Sequence, residues 1–364
     1  MKLHIFNPEH DIALAANLEN FTAPHAGRQL RHDLGFLPLL WAGAGDYVIV
    51  DDVEVARKAA VRLQQRESAL LSQGKSRGFQ GQIATLKEVV GKAVDGIEPW
   101  GWDAALRAYL LRKGVGEQLL PTPGQIASTR ALSHRRVAAS LLPHLRVDGT
   151  TGEAFECQSA IEVGRLLERY GHLVLKAPWS SSGRGLRFLE TSRPYLHDGW
   201  LKNVMAAQGS VMAEPYYHKV KDFGMEFHSD GQGGIDYLGL SLFHTQNGAY
   251  TGNILATEHR KREMISNYLP ASLLETIQVL VCQRLGQVMA HRYEGPFGID
   301  MMVVGTGSDH FLLHPCVEIN LRRTMGHVAL SLAPRVNPAE DDEVVRVMRI
   351  VYEDNQYKLK IQRL

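Results

Sequence analysis

The sequence of 364 residues predicts an α/β (α+β) protein with two or three domains. Strand and helix patterns alternate near the N-terminus, where an apolar strand at 2–6 stops at Asn7 and Pro8 and a second strand at 47–52 leads into a helical pattern. The second half contains successive strand patterns, which end in two apolar strands joined by a Gly-rich turn within 295–326. We therefore expect a small open α/β sheet followed by a strand-rich unit.

The bulk composition excludes several classes of function. The formal net charge is +1, so no overall basic field would hold nucleic acid, and none is expected as an obligate partner. The three cysteines lie far apart, which fits neither a disulfide framework nor a zinc site. No window approaches the roughly twenty apolar residues of a membrane helix, and no signal peptide is evident. We expect a cytoplasmic protein without a membrane partner.

The stretch at 295–326 contains the strongest functional signal. Asp300 lies in its first strand, and Glu318 and Asn320 lie two residues apart in its second strand, on one face. Pairing across the turn at 305–309 would bring Asp300 near the other two side chains. Hard oxygen donors on one sheet face suit Mg²⁺. The alternative is a hairpin whose polar residues are only structural, which the cost of burying unpaired charge disfavours.

Arg322 follows Asn320 by two residues and would lie on the same face if the strand continues. A fixed guanidinium beside a metal site suits a carboxylate or phosphate held by two hydrogen bonds. Arg322 is therefore a candidate substrate contact.

A second informative stretch places Lys176 at the end of a strand, before a loop of small residues at 180–185. Such a loop can bring backbone N–H groups close to phosphate oxygens, and the lysine supplies a positive charge. It is not a Walker loop, because no GK[ST] follows and the next element is a strand. Taken alone, the loop also fits an ordinary hairpin turn.

Two further clusters leave alternatives open. Glu9, His10 and Asp11 follow the first strand, where ligand-contacting groups lie in open α/β sheets, but they also read as the start of a helix. The basic cluster at 134–136 lies on a predicted helix and either is solvated or reaches toward phosphate. The basic stretch at 259–262 is expected to be a solvated face.

Prolines and turn-forming residues in the sequence predict the domain organisation. Two prolines near residue 124 mark a junction, Glu214 to Tyr216 form a predicted hinge, and the tail reads as a hairpin turning at Asp354 and Asn355. The predicted units are an N-terminal α/β domain, a small lobe with the phosphate loop, a large lobe with the metal site and a C-terminal hairpin, at 1–124, 125–213, 214–335 and 336–364.

The order of these pieces resembles the ATP-grasp superfamily. A lysine ends a strand, a small-residue loop and a Glu-containing hinge follow, and then come Asp in one strand and ExNxR in the next. The likeness covers about 125–335, and 1–124 resembles the α/β domain that usually precedes the grasp. The specific part is VEINLRRTMG at 317–326, and the order of several independent pieces strengthens it. The resemblance implies an ATP-grasp fold with an N-terminal open α/β domain of the pre-ATP-grasp type.

The resemblance also implies roles for individual residues. Lys176 would contact the ATP phosphates, and the loop would close over them with Ser180, Ser181, Ser182, Gly183 and Gly185. Adenine would be held through backbone groups of Glu214, Pro215 and Tyr216, and the ribose hydroxyls by Asp222. The metal ligands would be Asp300, Glu318 and Asn320.

Two arginines complete the set that the resemblance implies. Arg322 would steady the acyl-phosphate or its carboxylate precursor. Relatives usually have another phosphate-binding lysine on the helix where Arg136 stands, so Arg136 is the expected replacement, although this departure leaves the first nucleotide contact open.

The implied activity is an ATP-dependent ligase that joins a small-molecule carboxylate to an amine, or to a thiol, through an acyl-phosphate. The implied cofactors are ATP and Mg²⁺, with Mn²⁺ as an alternative, and the substrate is a small metabolite or peptide. A small-molecule kinase, a nucleotide-binding module without turnover and a purely structural α/β protein are the alternatives. The substrate pocket is expected among 9–11, 244–253 and Arg322, and a homodimer is expected.

Overall fold

A computed structural model describes residues 1–66, 79–180, 185–194, 196–246, 249–307, 309–334 and 344–364. The N-terminal part contains a four-stranded parallel sheet in the order β3-β2-β1-β4. Its strands are β1 Lys2–Ile5, β2 Tyr47–Ile49, β3 Gln82–Ala84 and β4 Gly96–Pro99. Its helices are α1 His10–Ala16, α2 His25–Leu34, α3 Val53–Arg66, α4 Leu86–Val89 and α5 Ala104–Arg112. Because all four strands are parallel, their carboxyl ends meet at one edge of the sheet.

The middle part contains a four-stranded antiparallel sheet in the order β5-β8-β6-β7. Two helices lead into it, α6 Pro123–Leu132 and α7 Arg135–Leu141. Its strands are β5 Phe155–Cys157, β6 His172–Lys176, β7 Leu186–Glu190 and β8 Val211–Pro215, and its helices are α8 Ala160–Tyr170 and α9 Asp198–Gln208. Leu173, Leu175 and Val211 are fully buried in the core of this unit, which fixes the end of β6 where Lys176 lies.

The third sheet has seven strands in the order β13-β12-β9-β10-β11-β14-β15. Its strands are β9 Lys219–Asp230, β10 Ile235–Gln246, β11 Ala249–Leu255, β12 Glu294–Gly307, β13 His310–Asn320, β14 Arg346–Glu353 and β15 Gln356–Arg363. Its helices are α10 Glu258–Ser266, α11 Ala271–Met289 and α12 Met325–Leu332. Phe223, Phe227 and Phe297 are fully buried on β9 and β12, so the apolar alternation of these strands faces one core.

Both predicted hairpins are confirmed. β12 and β13 pair antiparallel, with Asp300 opposite Glu318 and Gly298 opposite Asn320. β14 and β15 pair across Asp354 and Asn355, whose φ angles of 52° and 60° fit the left-handed two-residue turn that matches strand twist.

Two predictions about basic stretches need correction. The helical pattern at 130–145 is broken, because α6 ends at Leu132 and the His134 ring accepts the Arg136 N–H at the start of α7. The stretch at 259–262 is not uniformly solvated, since Lys261 is 2% exposed and donates to the Leu240 carbonyl at 2.6 Å. A lysine that ends on a buried carbonyl is part of the packing rather than of a charged surface.

The C-terminal hairpin packs against the N-terminal part of the chain. The Tyr357 N–H donates to Asp33 of α2 at 2.8 Å, and Met348 shares a buried core with Phe6 and Leu34. The domain boundaries stay predictions, and the one at 213–214 falls inside β8. No helix among the described residues is long and apolar enough to span a membrane.

Candidate active site

The centre of the site is the carboxylate pair on the β12–β13 hairpin. Asp300 and Glu318 are direct antiparallel partners, so their side chains project side by side. Burial, with the charges of Glu318 and then Glu226, raises the pKa of Asp300 to about 8. A buried carboxyl group with a second carboxylate beside it forms a place where a bound cation would be stabilising. The described residues contain no group of three or more His, Cys, Asp or Glu side chains that could hold a metal ion, so a neighbouring amide is the further candidate donor.

Asn320 supplies that amide. Its Nδ2 donates to the Asp300 carboxylate at 3.2 Å, and its Oδ1 accepts from Arg322 Nη2 at 3.0 Å. Two carboxylates and an amide oxygen are hard donors of the kind that Mg²⁺ prefers, so the residues fit the predicted ion. Their role as ligands stays a prediction.

Arg322 reaches the cluster by a different route from the one predicted. β13 ends at Asn320, so Arg322 does not share a strand face with it. Its guanidinium instead donates to both carboxylate oxygens of Asp11, from Nε at 2.7 Å and from Nη2 at 2.8 Å. Asp11, from the first turn of α1, is thereby placed beside the β12–β13 hairpin.

Arg135, and not Arg136, lies at this cluster. Arg135 is 7% exposed and donates to Glu318 at 2.7 Å, to the Ser180 hydroxyl at 3.0 Å and to the Ala177 carbonyl. The side chain of Arg136 is 53% exposed and lies 3.7 Å from Glu156. The nucleotide contact of Arg136 stays a prediction, and Arg135 is the member of the 134–136 cluster that lies at these carboxylates, which sequence reasoning did not single out.

Lys176 forms a buried ion pair with Glu214. The two groups are 2.6 Å apart, and both side chains are less than a tenth exposed. They come from β6 and β8, which are neighbours in the sheet although they lie far apart in sequence. The lysine is thus held in place at the end of β6, facing the start of the small-residue loop.

The described ends of that loop are in close contact. The Ala177 N–H donates to the Gly185 carbonyl at 2.9 Å, and a Cβ at Gly185 would lie 2.4 Å from the Ser180 hydroxyl. Only glycine fits there without displacing Ser180. Ser181, Ser182 and Gly183 lie outside the described residues, and their predicted phosphate contacts stay predictions.

The residues predicted to hold adenine and ribose lie at the end of β8, just after it and in β9. Glu214 and Pro215 are buried in the strand, and Tyr216 stacks on His172 with ring centroids 4.1 Å apart. Asp222 accepts from Lys219 at 2.6 Å and from the Thr245 hydroxyl. These contacts neither exclude nor test the predicted roles.

His314 is a second residue that sequence reasoning missed near this region. It is 1% exposed on β13, and its ring packs edge-on against Tyr217 at 5.6 Å. Burial, with the charge of Lys176, lowers the pKa of His314 to about 3, so the ring is neutral. Within the described residues, neither ring nitrogen has a hydrogen-bond partner. The number of histidines in the sequence did not single out His314.

The N-terminal residues 9–11 separate two spaces. A narrow cleft of about 20 Å³ is lined by His10, Asp11, Ser180, Glu318 and Asn320. A larger cavity of about 590 Å³ lies at the carboxyl edge of the N-terminal sheet, and Glu9 lines it. Glu9 makes no side-chain cap for α1 and instead accepts from Arg31 at 2.7 Å. The first turn of α1 is therefore a wall shared by the cavity and the cleft.

Comparison with known proteins identifies the fold. No family model and no curated protein matches the sequence. Among solved structures, N5-carboxyaminoimidazole synthetase from Staphylococcus aureus is 10% identical, with a TM-score of 0.50 over 97% of this chain and 83% of that one. The N5-carboxyaminoimidazole ribonucleotide synthetase from Thermus thermophilus is 12% identical, with a TM-score of 0.52 over 97% and 84%.

A third similar structure is the biotin carboxylase domain of 2-oxoglutarate carboxylase from Hydrogenobacter thermophilus, solved with MgADP, ADP and bicarbonate. It is 14% identical, with a TM-score of 0.52 over 96% of this chain and 74% of that one. The chain has the ATP-grasp fold, with an open α/β domain at its N-terminus, and the predicted fold class is confirmed.

Proposed function

We propose that the protein is a Mg²⁺- and ATP-dependent ligase that activates a small carboxylate as an acyl-phosphate and transfers the acyl group to an amine. The observation that carries the proposal is the Asp300–Glu318 pair at the cleft, flanked by Arg135 and Arg322. The structural likeness to proteins solved with ADP or MgADP supports it, although that likeness by itself speaks only for the fold.

Asp300, Glu318 and Asn320 would hold the metal. Bound there, Mg²⁺ would neutralise negative charge on phosphate oxygens and orient them. Before binding, Asn320 bridges Asp300 and Arg322, so the donor set is already assembled by hydrogen bonds. Such preorganisation lowers the cost of arranging charged groups when substrate arrives.

Three groups would contact the transferring phosphate. Lys176 and Arg135 bring positive charge to the start of the small-residue loop, and each is held by a carboxylate. The Ser180 hydroxyl accepts from Arg135 and is a further hydrogen-bonding group. In this proposal Arg135 takes the role that the sequence suggested for Arg136.

Arg322 would orient the substrate carboxylate. Its two-pronged contact with Asp11 has the geometry that a guanidinium makes with any carboxylate, so a substrate can exchange with or extend this pair. The cavity of about 590 Å³ beside α1 would hold the body of one substrate, since ligand sites of open α/β sheets lie at this edge.

The Glu9 side chain gives that cavity a preference for substrates that carry a hydrogen-bond donor. Its Oε1 accepts from Arg31, while Oε2 is buried without a hydrogen-bond partner in the described part of the chain. A substrate with an N–H or O–H donor would satisfy this oxygen.

The test is a coupled assay for ADP release, run with MgATP and matched pools of carboxylates and amines. We expect turnover only when one member of each pool is present, with ADP and free inorganic phosphate formed in equal amounts. Glu318→Gln should abolish it, and Glu294→Gln, an exposed acid on the same hairpin, should not. Phosphate that stays on a product would instead indicate a kinase, and equal turnover in Glu318→Gln would contradict the site.

A further inference from the structure

The first turn of α1 contains a buried histidine–aspartate pair. His10 is 1% exposed, and its Nδ1 lies 3.2 Å from Oδ2 of Asp103, a residue that is itself 2% exposed at the start of α5. The Leu106 N–H donates to the other oxygen of Asp103 at 2.9 Å, and the Asn7 amide donates to Oδ2 at 3.3 Å. Asp103 is surrounded by donors, so it acts as a carboxylate acceptor.

This environment fixes the tautomer of His10. An imidazole nitrogen next to an acceptor carboxylate carries a proton, so Nδ1 is the donor and Nε2 is the ring nitrogen left to accept. Among the residues that the structure describes, Nε2 has no hydrogen-bond partner. A buried polar atom without a partner needs an explanation, and one explanation is a group that arrives with the substrate.

The His10 ring is packed tightly against Gly101. A Cβ at Gly101 would lie 2.6 Å from Cδ2 and 2.7 Å from both Cγ and Nε2, so Gly101 packs closely against the ring, and Nε2 is buried. His10 lines the cleft together with Ser180, Glu318 and Asn320. A residue of the cleft in which acyl transfer would take place thus contains a buried ring nitrogen without a partner among the described residues.

We propose that His10 is the general base that deprotonates the amine nucleophile, with Asp103 as its positioning residue. This inference rests on the proposed ligase function. An amine arrives as an ammonium ion, which is not nucleophilic, and it gives one proton to Nε2. The neutral amine attacks the acyl carbon, the C–N bond forms, and the bond from carbon to the phosphate oxygen breaks. The second amine proton leaves with the phosphate as hydrogen phosphate, and the His10 proton passes to solvent.

Other charged groups around the cleft do not fit this role. Asp11 is bound on both oxygens by Arg322, and Glu318 accepts from Arg135 on one oxygen and would hold the metal. Lys176 is paired with Glu214. Among the groups named, His10 is the one with a ring nitrogen that has no partner in the described residues.

The test compares two nucleophiles small enough for a cleft of about 20 Å³. The probes are hydroxylamine, which is largely unprotonated at neutral pH, and ammonium chloride, with MgATP and a pool of acetate, succinate, citrate and L-glutamate. We expect His10→Gln to form hydroxamate at the wild-type rate but to lose about 100-fold or more of the rate with ammonium, the usual scale of general-base catalysis. The ammonium rate of His10→Gln should recover as pH rises and free ammonia accumulates. Equal losses with both nucleophiles would overturn the proposal.

His4→Gln is the matched control. His4 is also a buried histidine of the N-terminal sheet, 2% exposed and 3.2 Å from Asp46, but it does not line the cleft. It should leave both rates unchanged. Asp103→Asn, which keeps an acceptor for the Leu106 N–H, should reduce the ammonium rate by less than His10→Gln.

A second measurement needs no substrate. Nitrogen chemical shifts of His10 in the labelled full chain, identified by their loss in His10→Gln, should show the Nδ1-protonated neutral ring. An Nε2-protonated ring would overturn the base assignment even if ligase activity is found. A wild-type enzyme that forms no hydroxamate from the pool would instead overturn the ligase proposal on which this one rests.

Discussion

Arg322 donates two hydrogen bonds to Asp11, although the residues are 311 positions apart in the chain. The contact joins α1 of the N-terminal part to the segment that follows the β12–β13 hairpin. Burial raises the pKa of Asp11, but the charge and hydrogen bonds of Arg322 outweigh it and hold the pKa below the ordinary value. The pair is therefore ionised at neutral pH, and it fixes the wall between the cavity and the cleft.

Asp11→Asn should destabilise the fold by about 1–3 kcal/mol, the cost of removing a hydrogen-bonded charge from a partly buried partner. Because the folded-state pKa of Asp11 is depressed, its contribution is present above the ordinary aspartate range and is lost as pH falls. The variant should therefore differ least from wild type in acid. Denaturant unfolding measures this.

The control for Asp11 is Glu54→Gln, which removes an exposed ion pair with Arg57. Pairs of this kind contribute roughly 0–1 kcal/mol. Equal losses of stability in the two variants, or an Asp11→Asn effect that persists at low pH, would contradict a stabilising role for the Asp11–Arg322 pair.

The stability of the metal-free protein should fall as pH rises toward 8. The pKa of Asp300 is raised to about 8 by burial and by Glu318, above the unfolded value near 3.9. A raised folded pKa gives stability that is complete below the unfolded pKa and lost as pH rises through the folded one. Thermal unfolding in chelator from pH 4 to pH 9 measures the slope, and Asp300→Asn should flatten it. An unchanged slope in the variant would rule out this titration.

Lys176→Met should lower the free energy of unfolding, in addition to removing the predicted nucleotide contact. It leaves Glu214 as an unpaired buried charge, which costs about 3–5 kcal/mol. Loss of Lys176 should therefore disturb folding as well as the predicted nucleotide contact.

A double variant separates the two effects. Lys176→Met with Glu214→Gln removes both charges, so most of the lost stability should return while nucleotide binding stays weak. Calorimetric titration with ATP and denaturant unfolding give the two readouts. Recovery of binding together with stability would show that Lys176 acts only on the fold.

Arg135→Gln should weaken nucleotide binding at least tenfold, whereas Arg136→Gln should change it less than twofold. Charge-assisted hydrogen bonds of the kind that Arg135 makes contribute roughly 1.5–3 kcal/mol, which is more than a factor of ten in affinity. Arg136 is exposed and adjacent in sequence, so it is a matched control. The reverse order of effects would restore the assignment made from sequence.

The hairpin was predictable because its determinants are local. Strand alternation places Glu318 and Asn320 on one face, and pairing across the turn brings Asp300 near them. The exact pairing of Asp300 with Glu318 depends on two register shifts in the hairpin, which the sequence did not predict. The turn at Asp354 and Asn355 was predictable for the same reason, since both residues tolerate positive φ.

The arginine at the site was not predictable from spacing. Helix α7 starts after a break at His134, and a histidine is not among the usual helix caps. A one-residue error on a helix rotates a side chain by roughly 100°, which is the difference between Arg135 in the site and Arg136 in solvent. The local sequence contains no signal for that break.

The partners of charged residues were not predictable either, because tertiary packing sets them. Lys176 meets Glu214 because β6 and β8 are neighbours. Asp11 meets Arg322 where the segment after β13 contacts the N-terminal part, as in the hydrogen bond from the Arg323 N–H to the Trp100 carbonyl at 2.8 Å. Lys261 is buried for a similar reason, since α10 lies on β10.

The most direct test of the central claim is a thermal-shift titration with ATP, with and without Mg²⁺, on wild type and on Asp300→Asn. A ligand that binds only the folded state raises its stability by mass action. We predict an upward shift in wild type that depends on Mg²⁺ and is lost in Asp300→Asn, whose ligand-free stability should equal or exceed that of wild type near pH 8. An equal Mg²⁺-dependent shift in the variant, or no shift in wild type at millimolar ATP, would contradict a metal–nucleotide site at Asp300 and Glu318.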